Sequence, residues 1–358
     1  MTSRPNRKPV VLPVGRETLG WIREGGRPTR AGALNRFLLR WQSLWFERNR
    51  ALQRLLPPEP PLRSDPVFIL GLWRSGTTYL HDLLGACPAM VSPTTAQCLN
   101  PSSFRLRAAP GGGRSVRRPM DALEVNTLSP QEDEFALLAL GVPSVYRGFV
   151  DPRRLPELSR WLDPQTWTAE RPGGWVAQWT EFLAGVSAGR PGRLVLKSPG
   201  HTFRVNALAG LFPNASYIWL ARDPLDTFLS NRKMWLAMFD CYGLWDCDRS
   251  QLDSFLCDAF RQASQCLLRA ASLLPRERLA VVTFEQLTGS TVDSLERLNR
   301  RLCLGAWDKM SPPLVSAVAA KDGYRPDTYD RSGLPGAVVD AAQGLRAAQL
   351  GALASHGI

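Results

Sequence analysis

Residues 71 to 78 read Gly71-Leu72-Trp73-Arg74-Ser75-Gly76-Thr77-Thr78, directly after an apolar run rich in branched side chains, Pro66 to Leu70, and ahead of a helical pattern. The octet fits G-x-x-x-x-G but puts Thr77 where the loop of a nucleotide kinase carries lysine. Successive backbone N–H groups and a helix N-terminus hold an anion at such a turn. Gly71 and Gly76 supply the turn, Ser75, Thr77 and Thr78 add hydroxyl donors, and Arg74 adds formal charge. A tight glycine turn without a ligand is the plain alternative, but it leaves three hydroxyls and an arginine in one turn unexplained.

A second arginine and hydroxyl lie downstream. Arg222 closes the run Ser216 to Ala221, and Ser230 stands eight residues on, about two turns into the next helical pattern. Both can face the carboxyl edge of a parallel sheet, where open α/β proteins bind their ligands. The pair predicts a second anion site, distinct from the loop, and so a ligand with two separated anionic groups. Taken alone, Arg222-Asp223-Pro224 is also an ordinary capped helix start.

The elements that must position these residues are legible from periodicity. Apolar runs at Pro66 to Leu70, Arg193 to Lys197, Ser216 to Ala221 and Leu279 to Phe284 read as strands. Helical patterns follow at Thr77 to Gly85, Phe203 to Leu211, from Pro224 through Ser230, and at Val292 to Leu304. Strands alternating with helices predict a three-layer α/β/α protein with a central parallel sheet. Residues 1–60 read as a helical extension and proline-rich linker, and 61–358 as one α/β domain. Within the extension, Leu34, Phe37, Leu38, Trp41, Leu44, Trp45, Leu52, Leu55 and Leu56 recur at helical spacing, with Arg36, Arg40, Arg48, Arg50 and Arg54 on the other face. This predicts a helix with its apolar face on the core and a solvated basic face, in preference to an interfacial membrane helix. The Gly111-Gly112-Gly113-Arg114 stretch reads as a surface loop.

Composition narrows the classes. With 44% hydrophobic and 21% charged residues, the 358-residue chain can bury a core and is unlike a disordered protein. The net charge of +12 suits an anionic ligand, although only five of the 44 basic residues are lysines: Lys8, Lys197, Lys233, Lys309 and Lys321. The arginines are dispersed and no nucleic-acid-binding module is present, which argues against a nucleic-acid partner. Seven scattered cysteines without Cys-x-x-Cys indicate neither a zinc cluster nor a disulfide framework; Cys241 with Cys247 is the one conceivable pair. Met1 to Val14 lacks the apolar stretch of a secretory signal, and Phe135 to Val142 is too short to span a bilayer, so the expected location is cytoplasmic.

Phe68 to Leu84 resembles the 5′-phosphosulfate loop of the sulfotransferase superfamily, and Arg222-x7-Ser230 resembles its 3′-phosphate motif. Leu196-Lys197-Ser198-Pro199-Gly200-His201 and Phe212-Pro213-Asn214-Ala215 are similar to the bacterial branch related to the Golgi and tyrosylprotein enzymes, the likeness covering residues 65 to 310. The resemblance implies transfer of a sulfuryl group from 3′-phosphoadenosine 5′-phosphosulfate (PAPS), without metal, to a hydroxyl or amine of a small-molecule, lipid or glycan acceptor. It implies that Arg74, with Ser75, Gly76, Thr77 and Thr78, holds the 5′-phosphosulfate, and that Arg222 and Ser230 hold the 3′-phosphate. Many cytosolic relatives carry lysine at the position of Arg74, and a guanidinium donates no proton readily. By the same analogy Lys197, at a strand end, stabilises the sulfuryl charge, a surface or structural lysine being the alternative.

The general base stays open on sequence. Gln97 stands where similar proteins carry glutamate, and an amide cannot take the proton. Glu132 is the first choice and His201 the second; Glu134 and His81 suit caps or salt bridges better. Arg325, in Tyr324-Arg325-Pro326-Asp327-Thr328-Tyr329, falls where relatives close a loop over the 3′-phosphate, although a plain surface arginine fits equally. A kinase lacks its lysine here. A non-catalytic nucleotide- or partner-binding protein on the same fold is the alternative that Gln97 keeps open. Of the tryptophans, more are expected in the core than around an acceptor.

Overall fold

A computed structural model describes residues 12–23, 30–63, 65–106, 115–118, 124–162, 172–246, 248–321 and 327–358. Five parallel strands, β1 (Val67–Leu70), β2 (Met90–Val91), β3 (Arg193–Lys197), β4 (Ser216–Ala221) and β5 (Leu279–Thr283), form the central sheet in the order β2-β3-β1-β4-β5. The edge strand β2 is two residues long, too short to show a period. Side chains alternate across the sheet as strand geometry requires. Val67, Ile69, Val195, Ile218, Leu220 and Val282 face one core, and Phe68, Leu70, Leu196, Tyr217, Trp219 and Val281 face the other.

The helices used below are α1 (Arg16–Arg23), α2 (Arg30–Gln53), α3 (Thr77–Gly85), α4 (Thr95–Leu99), α5 (Glu134–Ala139), α6 (Pro172–Ser187), α7 (Pro224–Tyr242), α8 (Arg249–Leu273), α9 (Phe284–Gly289), α10 (Thr291–Leu302) and α11 (Gly336–His356). Leu80, Leu83 and Leu84 of α3 and Leu295, Leu298 and Leu302 of α10 cover the first face. Helices α6, α8 and α11 cover the second. The expected three layers are present. Phe284 opens α9 instead of ending β5, because Thr283 and Gln286 form a reciprocal cap at that point.

Register places the site. Ile69 lies beside Lys197, Leu70 beside Trp219, and Ala221 beside Thr283, so the first loop, Lys197, Arg222 and α9 all emerge at one carboxyl edge. Trp175, Trp179, Trp219 and Trp235 are core residues. Cys87, Cys98, Cys257 and Cys266 are buried. Cys247, Trp167, Arg325 and the Gly111 stretch lie outside the described residues. Among the described residues no helix is long and apolar enough to cross a membrane.

Helix α2 differs from the sequence expectation. Its inward side is Leu39, Ser43, Phe46, Asn49 and Gln53, while Leu34, Phe37, Trp41, Leu44, Trp45 and Leu52 are exposed. The supporting surface is mixed: Leu39 joins the core and Phe46 is buried, while Gln53 donates to the Pro101 carbonyl at 3.1 Å and Arg50 donates to Gln178 of α6 at 2.7 Å.

Candidate active site

The loop between β1 and α3 is held from several sides. Gly71 (φ 141°) and Gly76 (φ 95°) adopt conformations that suit glycine, and a Cβ on Gly76 would run into the Phe284 ring. Arg74 itself has φ 66°, a left-handed conformation costing an arginine about 1–2 kcal/mol. Neighbouring elements impose it. Arg222 donates to the Arg74 carbonyl at 2.9 Å, Asn231 donates to the Trp73 carbonyl at 2.7 Å, and Ser75 donates to the Leu72 carbonyl at 2.7 Å. Thr202 joins in from beyond β3, accepting from the Gly71 N–H at 2.8 Å and donating to its carbonyl at 2.9 Å. Helix α3 begins at Gly76 with no side-chain cap, so its positive end is presented to the space above the sheet.

The two predicted anion sites are neighbours. Arg74 Nε donates to Ser230 Oγ at 3.1 Å across a separation of 156 residues. Ser230 sits on α7, whose start follows the expected pattern: Pro224 in the first turn and the Asp223 carboxylate accepting from the Asp226 N–H at 3.0 Å. The Arg222 guanidinium lies 4.8 Å over the Phe284 ring. That contact fixes its plane while leaving N–H donors for a ligand.

Arg74, Thr77, Thr78, Arg222 and Glu132 border a cavity of about 660 Å³. Its remaining wall is largely apolar, with Leu12, Trp73, Phe135, Phe149, Met234 and Met238. A second cavity, about 620 Å³, shares Arg222 and Phe284 and is bordered by Asp327, Thr328 and Tyr329.

Glu132 is the centre of a charged network. Its Oε1 accepts from Lys197 Nζ at 2.5 Å, and its Oε2 accepts from the Tyr146 hydroxyl. Lys197 also donates to Thr78 at 3.2 Å, and Tyr146 accepts from Trp73 Nε1 at 3.0 Å. Burial, and then the adjacent Glu132 carboxylate, push the Tyr146 phenol well above its ordinary value, so Tyr146 remains a donor. The ends of this chain, Trp73 and Thr78, belong to the phosphate-type loop and the first turn of α3. Lys197 is buried and bonded to Glu132 and Thr78, both of which border the main cavity.

The other candidates lie elsewhere. His201 is completely buried, with Nε2 at 2.9 and 3.0 Å from the two Asp133 oxygens, and does not border the cavity; it cannot reach an acceptor. Asp133 also accepts from Ser198 at 2.5 Å and Trp179 at 2.6 Å. Burial alone raises its carboxyl, but His201, Ser198 and Trp179 together hold it below the usual range. Glu134 forms a buried bidentate pair with Arg204 at 2.7 and 3.0 Å. His81 is buried on the inner face of α3; burial, and then the Lys197 charge, lower it to about 3, so it stays neutral. Gln97 is a cap residue: its Oε1 accepts from the Thr94 N–H at 2.9 Å, closing a capping box at the start of α4. Sequence reading missed Tyr146, Thr202 and Asp133. A Thr-x-x-Gln cap was legible at residues 94 to 97, whereas Tyr146 carries no local signal.

The fold is that of P-loop-like α/β proteins, with its polar groups gathered at the carboxyl edge where such folds bind ligands. Comparison with known proteins goes further. Residues 66–309 match the sulfotransferase family model, and the chain belongs to that family. It is 30% identical over 304 residues, 84% of this chain and 76% of the relative, to the omega-hydroxy-beta-dihydromenaquinone-9 sulfotransferase Stf3 of Mycobacterium bovis and of Mycobacterium tuberculosis. Sulfotransferase STF9 from Mycobacterium avium superposes with a TM-score of 0.67 at 19% identity, covering 94% of this chain and 90% of that one. For STF1 from Mycobacterium tuberculosis the TM-score is 0.62 at 19% identity, with 92% and 90% covered. At that identity the two structures support the fold.

Proposed function

We propose that the chain transfers a sulfuryl group from PAPS to a hydroxyl on an elongated apolar acceptor, with Glu132 as the general base. The observation that carries the reading is the position of Glu132: tied to Lys197 and Tyr146, it borders an apolar cavity that also reaches Arg74 and the start of α3. The residues suit the donor. The uncapped α3 terminus, Arg74, Thr77 and Thr78 would take the phosphosulfate, and Arg222 with Ser230 the 3′-phosphate. Asp327, Thr328 and Tyr329, which border the second cavity beside Arg222, would flank that end of the donor.

In the reaction the acceptor oxygen attacks sulfur in line, and the bond from sulfur to the bridging phosphate oxygen breaks. The hydroxyl proton passes to Glu132, giving a sulfate ester and adenosine 3′,5′-bisphosphate. Tyr146 and Lys197 hold the carboxylate towards the acceptor, and Lys197 with Arg74 offsets charge spreading onto the sulfuryl oxygens. Gln97, which left room for a non-catalytic protein, is used up in a helix cap, and Glu132 supplies the carboxylate from another element. The apolar walls suit a hydroxyl at the end of a hydrocarbon chain, the kind of acceptor for which the menaquinone-named relative is called.

Thermal unfolding with adenosine 3′,5′-bisphosphate, with magnesium ATP and with neither tests the donor. A bisphosphate at about 100 times its Kd should stabilise by about 2.7 kcal/mol, and Arg222→Ala should abolish the shift. No bisphosphate shift, or a larger one with magnesium ATP, overturns the reading. Radiolabelled transfer from PAPS to a long-chain prenyl alcohol, compared with a sugar, tests the acceptor.

A further inference from the structure

Helix α2 carries its apolar residues outward, and no function so far uses them. Leu34, Phe37, Trp41, Leu44, Trp45 and Leu52 fall within about 100° of arc at 3.6 residues per turn, opposite the buried Leu39, Phe46 and Gln53. The exposures are large: 56% for Phe37, 65% for Trp41 and 69% for Leu44. Leu55, just past the helix, is 80% exposed. A contiguous exposed apolar patch of this kind marks a docking surface.

Charge identifies the occupant. Arg40 lies beside the stripe, Arg36 and Arg54 lie further round on the same side, and Arg48 lies within it, its guanidinium 5.6 Å over the Trp45 ring. Glu47 is the one acidic residue of α2. A second copy of the chain would bring the same arginines against these in a two-fold interface, which like charges oppose. An anionic bilayer surface satisfies both features: the apolar side chains enter the headgroup and acyl boundary, and the arginines meet lipid phosphates. The helix is about 36 Å long and lies flat against the protein, so it would lie in the membrane plane.

Its attachment leads to the cavity. Gln53 bonds the Pro101 carbonyl and accepts from the Arg105 N–H at 3.3 Å, and Leu99, two residues before Pro101, borders the main cavity. Leu12, just ahead of α1, which packs on α2, borders it too. We infer that α2 is an interfacial anchor that seats the protein on an anionic phospholipid surface with the cavity wall beside it. This inference stands on the helix face alone and does not depend on the chemistry proposed above.

Vesicle flotation tests it without donor or acceptor. The full chain should float with vesicles of phosphatidylcholine and phosphatidylglycerol in equal parts, and less with phosphatidylcholine alone or at high salt. Trp41→Glu, and separately Phe37→Ser with Leu44→Ser, should lower the partition coefficient at least tenfold. Arg36→Gln, Arg40→Gln and Arg54→Gln should each lower it about fivefold at low salt. All these side chains lie at the surface of α2 or just past its end, so thermal midpoints should be unchanged. The inference is overturned if the wild-type chain does not float with anionic vesicles, or if Trp41→Glu floats as well as wild type. A dimer in light scattering that Trp41→Glu converts to monomer would also overturn it, assigning the face to a second copy.

Discussion

Replacing Glu132 by glutamine separates catalysis from architecture. The amide is nearly isosteric, and its Oε1 can still accept from Lys197, so the 2.5 Å contact persists as a charge-to-dipole hydrogen bond. Its Nε2 donates where Oε2 accepted, and the Tyr146 oxygen must accept that bond in addition to the one from Trp73. The ammonium of Lys197 then loses its counter-charge in a site only 3% exposed. Breaking a fully buried pair costs about 3–5 kcal/mol; retained hydrogen bonding and the partial exposure of Glu132 place this change below that range. The catalytic loss is separate. Removing a general base lowers kcat by about 10²–10⁴-fold, while the Kd for adenosine 3′,5′-bisphosphate should stay within about threefold, because the loop, Arg222 and Ser230 are untouched. The assay is steady-state sulfuryl transfer at saturating donor, with bisphosphate affinity by calorimetry. If Glu132→Gln keeps kcat within threefold of wild type, or loses bisphosphate binding in step with kcat, Glu132 is not the base.

Two further outcomes follow from the geometry. Gly76→Ala forces a side chain into left-handed backbone and against the Phe284 ring, so the urea midpoint should fall by the equivalent of about 2–6 kcal/mol, strain and overpacking together; an unchanged midpoint contradicts the packing. His81 is neutral in the fold down to about pH 3, whereas in the unfolded chain it takes a proton near pH 6.5. Its contribution to stability is therefore complete above pH 6.5 and is lost as pH falls towards 3, with a slope of up to about 1.4 kcal/mol per pH unit. Urea midpoints measured from pH 7 to 5 should show that slope, and His81→Gln should flatten it; parallel curves would refute the assignment.

The apolar wall of the main cavity and the surroundings of Glu132 depend on pairings far apart in the chain. What was legible in the amino-acid order was local. The glycine loop between β1 and α3, the capped start of α7 and four of the five parallel strands are set by spacings of a few residues, where backbone sterics and the two- and four-residue periods act directly. Arg74, Arg222 and Ser230 could be singled out for the same reason. Which of Glu132, His201, Glu134 and His81 meets the cavity was open, because residue type does not report burial. His201 and Glu134 are taken by Asp133 and Arg204, partners supplied by the packing of α5 and its preceding loop against the segment after β3. Tyr146 reaches Glu132, and Arg74 meets Ser230, because the sheet brings separate connections to one edge. Helix α2 shows the same limit from the other side. Its periodicity predicted an amphipathic helix correctly, but a period cannot say which face meets protein. Tertiary packing decided that: Leu39 joins the core, Phe46 is buried and Gln53 bonds the Pro101 carbonyl, which leaves Phe37, Trp41, Leu44, Trp45 and Leu52 outward.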